Sequence, residues 1–377
     1  MKRFLIQLII FTSPLIIYLG PPTYILWQSK ENFYKIDKIL SSKVKYLIGY
    51  AYNENNYGFL KWTYLNSNES KSIWALGSSR VLQFREKMFD ATFYNAGYTI
   101  SSLTDFKPFI KSLPNSKRPK YIIIGLDQWM FNESYDNLNS IPSTESWQNS
   151  FTFSPKKLFP TYKTVYADLF AGKYTFSSLI QHSNSYNKIG LNAKMNNTGF
   201  RNDGSIYYGE QIMKLIDKDT IADDFNYTNT FDRIKHGNRR FQYCKSVNEK
   251  ALSELNELLK YCKDQQINVI AFLPPFADKV YNKMNESGKY DYLKKIYSRV
   301  KPFFDKYNYE VYDFSKVSLC NSSDNETIDG FHGGELTYQK LLISILDSGS
   351  ILNQVTNVKR LKIDLVNKKN NYIIYDN

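Results

Sequence analysis

The chain has 377 residues, a formal net charge of +13, 42% hydrophobic residues and 16% aromatic residues. That is long for one minimal domain, short for three, and apolar enough for a full core. The charge favours an anionic partner. Lys and Arg are dispersed, however, and neither zinc-finger spacing nor an RNA-binding sheet motif occurs, which argues against nucleic acid and for a membrane or a polyanionic glycan.

The first stretch, "MKRFLIQLIIFTSPLIIYLGPPTYILWQSK", carries Lys2 and Arg3 and then no charge until Lys30. Its apolar run of roughly 24 residues is enough to cross a ~30 Å hydrocarbon core. The positive start predicts that this end stays in the cytoplasm and that the rest is exported, onto the periplasmic or extracellular face. Pro14, Pro21 and Pro22 are expected to bend or end the helix. No A-x-A cleavage site follows. Residues 1–29 therefore read as a signal-anchor, with a cleaved signal peptide as the alternative, and both place the domain outside.

Residues 30–70 read as a connector. From Lys71 the pattern becomes strand, turn, helix. "SIWAL" is a strand and "RVLQFREKM" a helix. "TFYNAG" is a second strand, "LTDFKPFIKSL" a helix, and "KYIIIGLD" a strand apolar on both faces, as a central parallel strand requires. Residues 133–240 lack clear periodicity and read as an irregular insertion over the sheet. Inside it, Asn202-Asp203-Gly204 supplies turn chemistry for a hairpin. The alternation resumes with "NEKALSELNELLKYCKDQQ", whose Leu252, Leu255, Leu258 and Leu259 share a face. It continues through the strand "INVIAFLPP", the helix "YDYLKKIYSRVKPFFDKY", the strand "YEVYDFS" and the helix "ELTYQKLLISILDS". Residues 349–377 form a basic tail in which "YIIY" is a candidate edge strand. Five strands alternating with helices predict an α/β fold with a doubly wound parallel five-stranded sheet.

In such a sheet reactive groups gather at the carboxyl ends of the strands. Gly77-Ser78-Ser79-Arg80 follows the first strand, Asn95 and Gly97 the second, and Gly125, Asp127 and Gln128 the third. "TIDGFHGGELT" follows the fifth. Of the three histidines (His182, His236 and His332), only His332 lies in the alternating part, three residues after Asp329. A serine needs a base to remove its proton, and the base works best when a carboxylate orients it. Cys244, Cys262 and Cys320 form no CxxC, so no thiol metal or redox site is expected; they either stay buried thiols or allow one bridge through Cys320. No metal or cofactor is expected.

Together "LGSSR", "YNAG", "IIIGLD", "FLPPF" and "DGFHGGELTYQK" resemble the SGNH/GDSL hydrolase superfamily. The nearest likeness is to its membrane-anchored bacterial branch, which holds alginate-type O-acetyltransferases and the teichoic-acid D-alanylation protein. The resemblance implies a flavodoxin-like SGNH domain over residues 71–348, with Ser79 as nucleophile, His332 as base and Asp329 as its orienter. It also implies an oxyanion hole from the amides of Ser79 and Gly97. The family's third block supplies an asparagine donor, and here Asp127 stands at that place. An ionised carboxylate only accepts, so Gln128, Asn132 or Arg80 would have to donate, or Asp127 would position a substrate hydroxyl. Arg80, Asp127, Arg201, Tyr207 and Tyr208 are the substrate-contact candidates. The aromatics Trp147, Phe151, Phe153, Tyr162, Tyr166, Tyr207 and Tyr208 are expected either to stack on sugars or to build a private core. The implied activity is transfer of an acyl group, acetyl in the family's manner, to an envelope polysaccharide, with a multipass membrane acyltransferase as partner. The alternatives are an esterase of the same fold and an inactive polysaccharide-binding scaffold.

Overall fold

The structure is a computed structural model and describes residues 1–31, 36–41, 44–135, 138, 147–148, 155–180, 187–219 and 222–375. Its strands in chain order are β1 (Tyr46–Ile48), β2 (Ile73–Leu76), β3 (Phe93–Asn95), β4 (Tyr121–Gly125), β5 (Asn187–Ile189), β6 (Thr198–Phe200), β7 (Ile206–Tyr208), β8 (Asn268–Leu273) and β9 (Glu310–Asp313). Five of them form a parallel sheet in the order β3-β2-β4-β8-β9. The α/β class and the five-strand parallel sheet are as expected.

Alternation along each strand explains why the strands read as apolar runs. Trp74, Leu76, Ile122, Ile124, Val269 and Ala271 enter one core, with the helices Leu103–Lys111, Glu249–Asp264 and Leu293–Tyr307. Ile73, Ala75, Tyr121, Ile123, Ile270 and Phe272 enter the opposite core, under the helix Glu335–Asp347. Both faces are covered, so neither can be polar. The four leucines Leu252, Leu255, Leu258 and Leu259 are all buried. Because the chain goes from β2 outward to β3 and then back to β4, the connections diverge between β2 and β4, where a crevice forms at the strand ends. Leu76 pairs with Ile124, so the two exits emerge side by side.

Three local expectations change. "RVLQFREKM" is not an α-helix but two short 3₁₀ turns, Ser79–Val81 and Glu86–Met88. The Asn95 side-chain amide donates to the carbonyls of Val81 (2.8 Å) and Phe84 (3.0 Å), which a helix would have used for its own amides. "YIIY" is not a strand: the amides of Ile374 and Tyr375 donate to the Glu335 carboxylate instead. The tail also carries a helix, Val358–Val366.

The connector and the insertion are not separate irregular pieces. Each gives strands to one small sheet of order β5-β1-β6-β7. The hairpin forms as expected between β6 and β7, with Gly204 at φ +77°. Its tip docks on the main sheet, since the Asn95 amide donates to the Asp203 carbonyl (2.8 Å). Beneath it Arg85 pairs with Asp203 (3.0 Å) and Glu335 (2.5 Å), and Arg201 with Glu335 (3.0 Å). Burial works against ionising these carboxyls, but the two arginines outweigh it and hold Asp203 and Glu335 below the usual carboxylate range.

The N-terminal helix runs unbroken from Lys2 to Gln28 with all three prolines inside, and it is long and apolar enough to cross a membrane. Prolines at 14, 21 and 22 cannot donate to the carbonyls four residues earlier, those of Ile10, Ile17 and Tyr18. Ser13 Oγ donates to Ile10 (3.0 Å). The Tyr166 hydroxyl, from the helix Pro155–Phe170, sits between the carbonyls of Ile17 and Tyr18 and serves both. One turn earlier, Tyr162 and Thr23 share a 2.5 Å hydrogen bond. These hydroxyls stand in for the missing amides, so the helix continues past its prolines. Tyr166→Phe is expected to lower unfolding stability in detergent micelles by about 0.5–1.5 kcal/mol. A thermal denaturation series checks it, and a change of only a few tenths would remove this role.

Candidate active site

Ser79, His332 and Asp329 converge. Ser79 Oγ lies 2.9 Å from His332 Nε2, and His332 Nδ1 lies 2.7 Å from Asp329 Oδ2. Ser79 is half-buried at the exit of β2, whereas Ser78 is buried and its Oγ accepts from the Arg80 amide, capping the turn. The choice between the adjacent serines thus follows from which hydroxyl faces the histidine.

The Asp329–His332 loop is tied from several sides. Asp329 Oδ1 accepts the amides of Phe331 and His332 (2.8 Å each), and the Ile328 amide donates to the His332 carbonyl (2.7 Å). Asp224 accepts the Gly330 amide (3.0 Å) and the Thr230 hydroxyl (2.6 Å). Burial pushes the Asp329 carboxyl up, yet His332 and the two amides outweigh it and hold it below the ordinary range. The carboxylate is therefore ionised at neutral pH and able to orient the imidazole.

Three glycines at strand exits have a common steric reason. A Cβ at Gly77, Gly97 or Gly125 would lie 2.9, 2.6 or 2.5 Å from the Val81 side chain. Val81 fills the space between the three exits and so fixes the turn carrying Ser79.

The remaining expected residues sort differently. The Gly97 amide is spent on Asn95 Oδ1 (2.9 Å), so it is not the free oxyanion donor that the resemblance implies. The Ser79 amide has no intramolecular acceptor among the described residues and remains available. Gln128 is fully buried; its Oε1 accepts from Arg80 (2.7 Å) and its Nε2 donates to the Pro274 carbonyl (2.7 Å). Asn132 donates to the Gln242 carbonyl (2.7 Å) and accepts from the Ser134 amide (2.8 Å). Each amide thus has one donor committed inside the fold, and burial of both side chains keeps them away from the half-buried Ser79 hydroxyl.

Arg80, Asp127 and Arg201 are buried, against the expectation that they contact substrate. Arg80 donates to the carbonyls of Phe331 (2.9 Å) and Pro274 (2.7 Å) and stands 3.5 Å from Asp127 Oδ1. Burial raises the Asp127 carboxyl, and Arg80 and Ser78 only partly offset it. Arg201 belongs to the cluster with Glu335, and it stacks on Tyr207 (4.9 Å). Tyr208 is the insertion aromatic whose position fits the expectation: its ring centre lies 6.4 Å from that of His332. Trp147 is core, packed edge-on against Phe109, while Tyr162 and Tyr166 serve the N-terminal helix. Phe151, Phe153 and His182 lie outside the described residues. His236 is exposed on the helix Thr228–His236, beside Asp232.

The three cysteines are buried and unbridged, and burial pushes the thiols of Cys262 and Cys320 up to about 12. Among the described residues no group of three or more His, Cys, Asp or Glu side chains is arranged to hold a metal. Sequence reasoning missed Asn95 and Asp224 as supports. Asn95 stood in the quoted "YNAG", but the reason for its place is a set of contacts with Val81, Phe84 and Gly97 that spacing does not reveal. No protein-family model matches the chain, and no curated protein matches it either.

Proposed function

We propose that the chain is a membrane-anchored serine acyltransferase of the SGNH/GDSL hydrolase superfamily, acting outside the cytoplasm on an envelope or exported polysaccharide. The observation that carries the reading is the Ser79–His332–Asp329 relay, with contacts of 2.9 and 2.7 Å, at the carboxyl ends of a parallel sheet. The strand order, counted 2-1-3-4-5 along the sheet, supports a flavodoxin-like arrangement. The apolar N-terminal helix supports anchoring in the bacterial cytoplasmic membrane.

In this reading His332 Nε2 takes the Ser79 proton as Oγ attacks the acyl carbonyl, and Asp329 stabilises the imidazolium. The Ser79 amide donates to the tetrahedral oxyanion. Collapse expels the donor's leaving group, protonated by His332, and leaves acyl-Ser79. His332 then deprotonates a sugar hydroxyl, which takes the acyl group and frees the serine. The donor is handed across the membrane by a multipass acyltransferase partner. A second reading, a polysaccharide-binding scaffold without turnover, is favoured by one observation: the Gly97 amide is engaged and Asp127 is buried, so the oxyanion site has fewer donors than the family's.

A fluorophosphonate probe separates the two. The full-length protein is expected to be labelled at Ser79, with labelling lost in Ser79→Ala and His332→Ala and kept in Ser78→Ala. Labelling absent from the wild type would select the scaffold.

A further inference from the structure

Beside the His332 loop lies a cavity of about 270 Å³, lined by Trp129, Tyr135, Arg233, Arg239, Arg240, Phe241 and Phe331. It is at the small end of ligand pockets, the size of a single sugar-like group rather than a chain. Phe331 is shared with the candidate active site: its ring centre is 4.4 Å from that of His332. The cavity and the candidate active site thus share one wall residue.

Among the described residues the three arginines form no ion pair. No carboxylate lies within 4 Å of Arg233, Arg239 or Arg240 among the described residues. Instead Arg240 stands 4.9 Å from the Trp129 ring centre and Arg233 5.7 Å from that of Phe331. Arg80, by contrast, reaches the same tryptophan from the buried side (5.1 Å) and is fully paired. The backbone sharpens the point. The Phe241 amide donates to the Asn238 carbonyl (2.9 Å), closing a turn whose central residues are Arg239 (φ 49°) and Arg240 (φ 75°). Such a turn favours Asn and Gly. Two arginines occupy it against that preference, and both line the cavity with no ion-pair partner among the described residues.

We propose that this cavity is an anion subsite that binds an acidic sugar unit of the polysaccharide, its carboxylate or phosphate held by Arg233, Arg239 and Arg240 and its ring packed on the aromatic walls. Guanidinium forks suit planar carboxylate and phosphate oxygens, and aromatic faces suit the apolar face of a sugar. The proposal rests on the acyltransferase reading only for the identity of the ligand, because binding is measured without turnover.

The test uses full-length Ser79→Ala protein in detergent and titration calorimetry with hexagalacturonate, with its fully methyl-esterified neutral counterpart, and with a glycerol phosphate oligomer. The acid hexamer is expected to bind about tenfold or more tightly than the neutral one, a preference that weakens with salt. The Arg239→Gln/Arg240→Gln variant is expected to lose most of that preference, and the Arg239→Lys/Arg240→Lys variant to keep part of it. The phosphate oligomer shows which anion is preferred, and selective binding of it alone still supports the subsite. Equal binding of charged and neutral hexamers together with no binding of the phosphate oligomer overturns it. So does a charge preference that survives in the Gln variant. Failure of the serine to react with the probe would leave these binding outcomes unchanged, so the two readings fail separately.

Discussion

Asp329→Asn is expected to leave the fold intact and to lower turnover of an activated acyl ester by about four orders of magnitude. The reason lies in the two faces of the carboxylate. Oδ1 accepts the amides of Phe331 and His332, and the oxygen of an asparagine can go on doing so. Oδ2 accepts from His332 Nδ1, and an asparagine would put an NH₂ there. The imidazole would then keep its proton on Nε2, the nitrogen that must receive the Ser79 proton. The loop stays tied while the base has the wrong tautomer. Steady-state hydrolysis of p-nitrophenyl acetate measures the loss, and thermal denaturation checks the fold. A fall of less than about tenfold would mean that His332 does not act as the base.

What made this site legible in the sequence was chemical scarcity. The alternating part of the chain holds one histidine, and it stands three residues after an aspartate. A parallel sheet brings strand exits to one edge whatever the loops contain, so Ser79 and His332 could be paired across 253 positions without contact information. The supports were not legible, because they depend on which group faces inward. Arg80 and Arg201 look like surface cations in a sequence and are buried ion-pair members. Gly97 looks like an oxyanion donor, and its amide turns to Asn95. The insertion read as irregular because β5, β6 and β7 have three residues each, too short for period-two patterning to stand out, and their partner β1 lies in the connector. The prolines misled in the opposite sense. They are expected to bend or end the helix, but Ser13 and Tyr166 cover the carbonyls they free and the helix continues.

Arg80→Met is expected to destabilise the protein by about 3–5 kcal/mol, because it leaves Asp127 buried without its cationic partner. Arg80 follows β2, yet its donors reach Gln128 after β4, Pro274 after β8 and Phe331 in the loop that carries His332. Its guanidinium stacks on Phe276 (4.3 Å), and its own carbonyl accepts the Tyr338 hydroxyl from the helix Glu335–Asp347. It is thus a positioning residue that ties the Ser79 turn to four other segments. The charge and the tether can be separated with a second substitution. Arg80→Met/Asp127→Leu removes both members of the buried pair, and replacing a whole pair by apolar side chains is often close to neutral. The double variant should regain most of the lost stability in a denaturant titration. If the proposed relay turns over, activity should not return, because the Phe331 carbonyl has lost its donor and the histidine next to it is free to shift relative to Ser79; a misplacement of about 1 Å can cost a hundredfold. Stability restored without activity would identify Arg80 as the residue that holds His332 in register. Activity restored along with stability would show that the arginine serves only to neutralise Asp127.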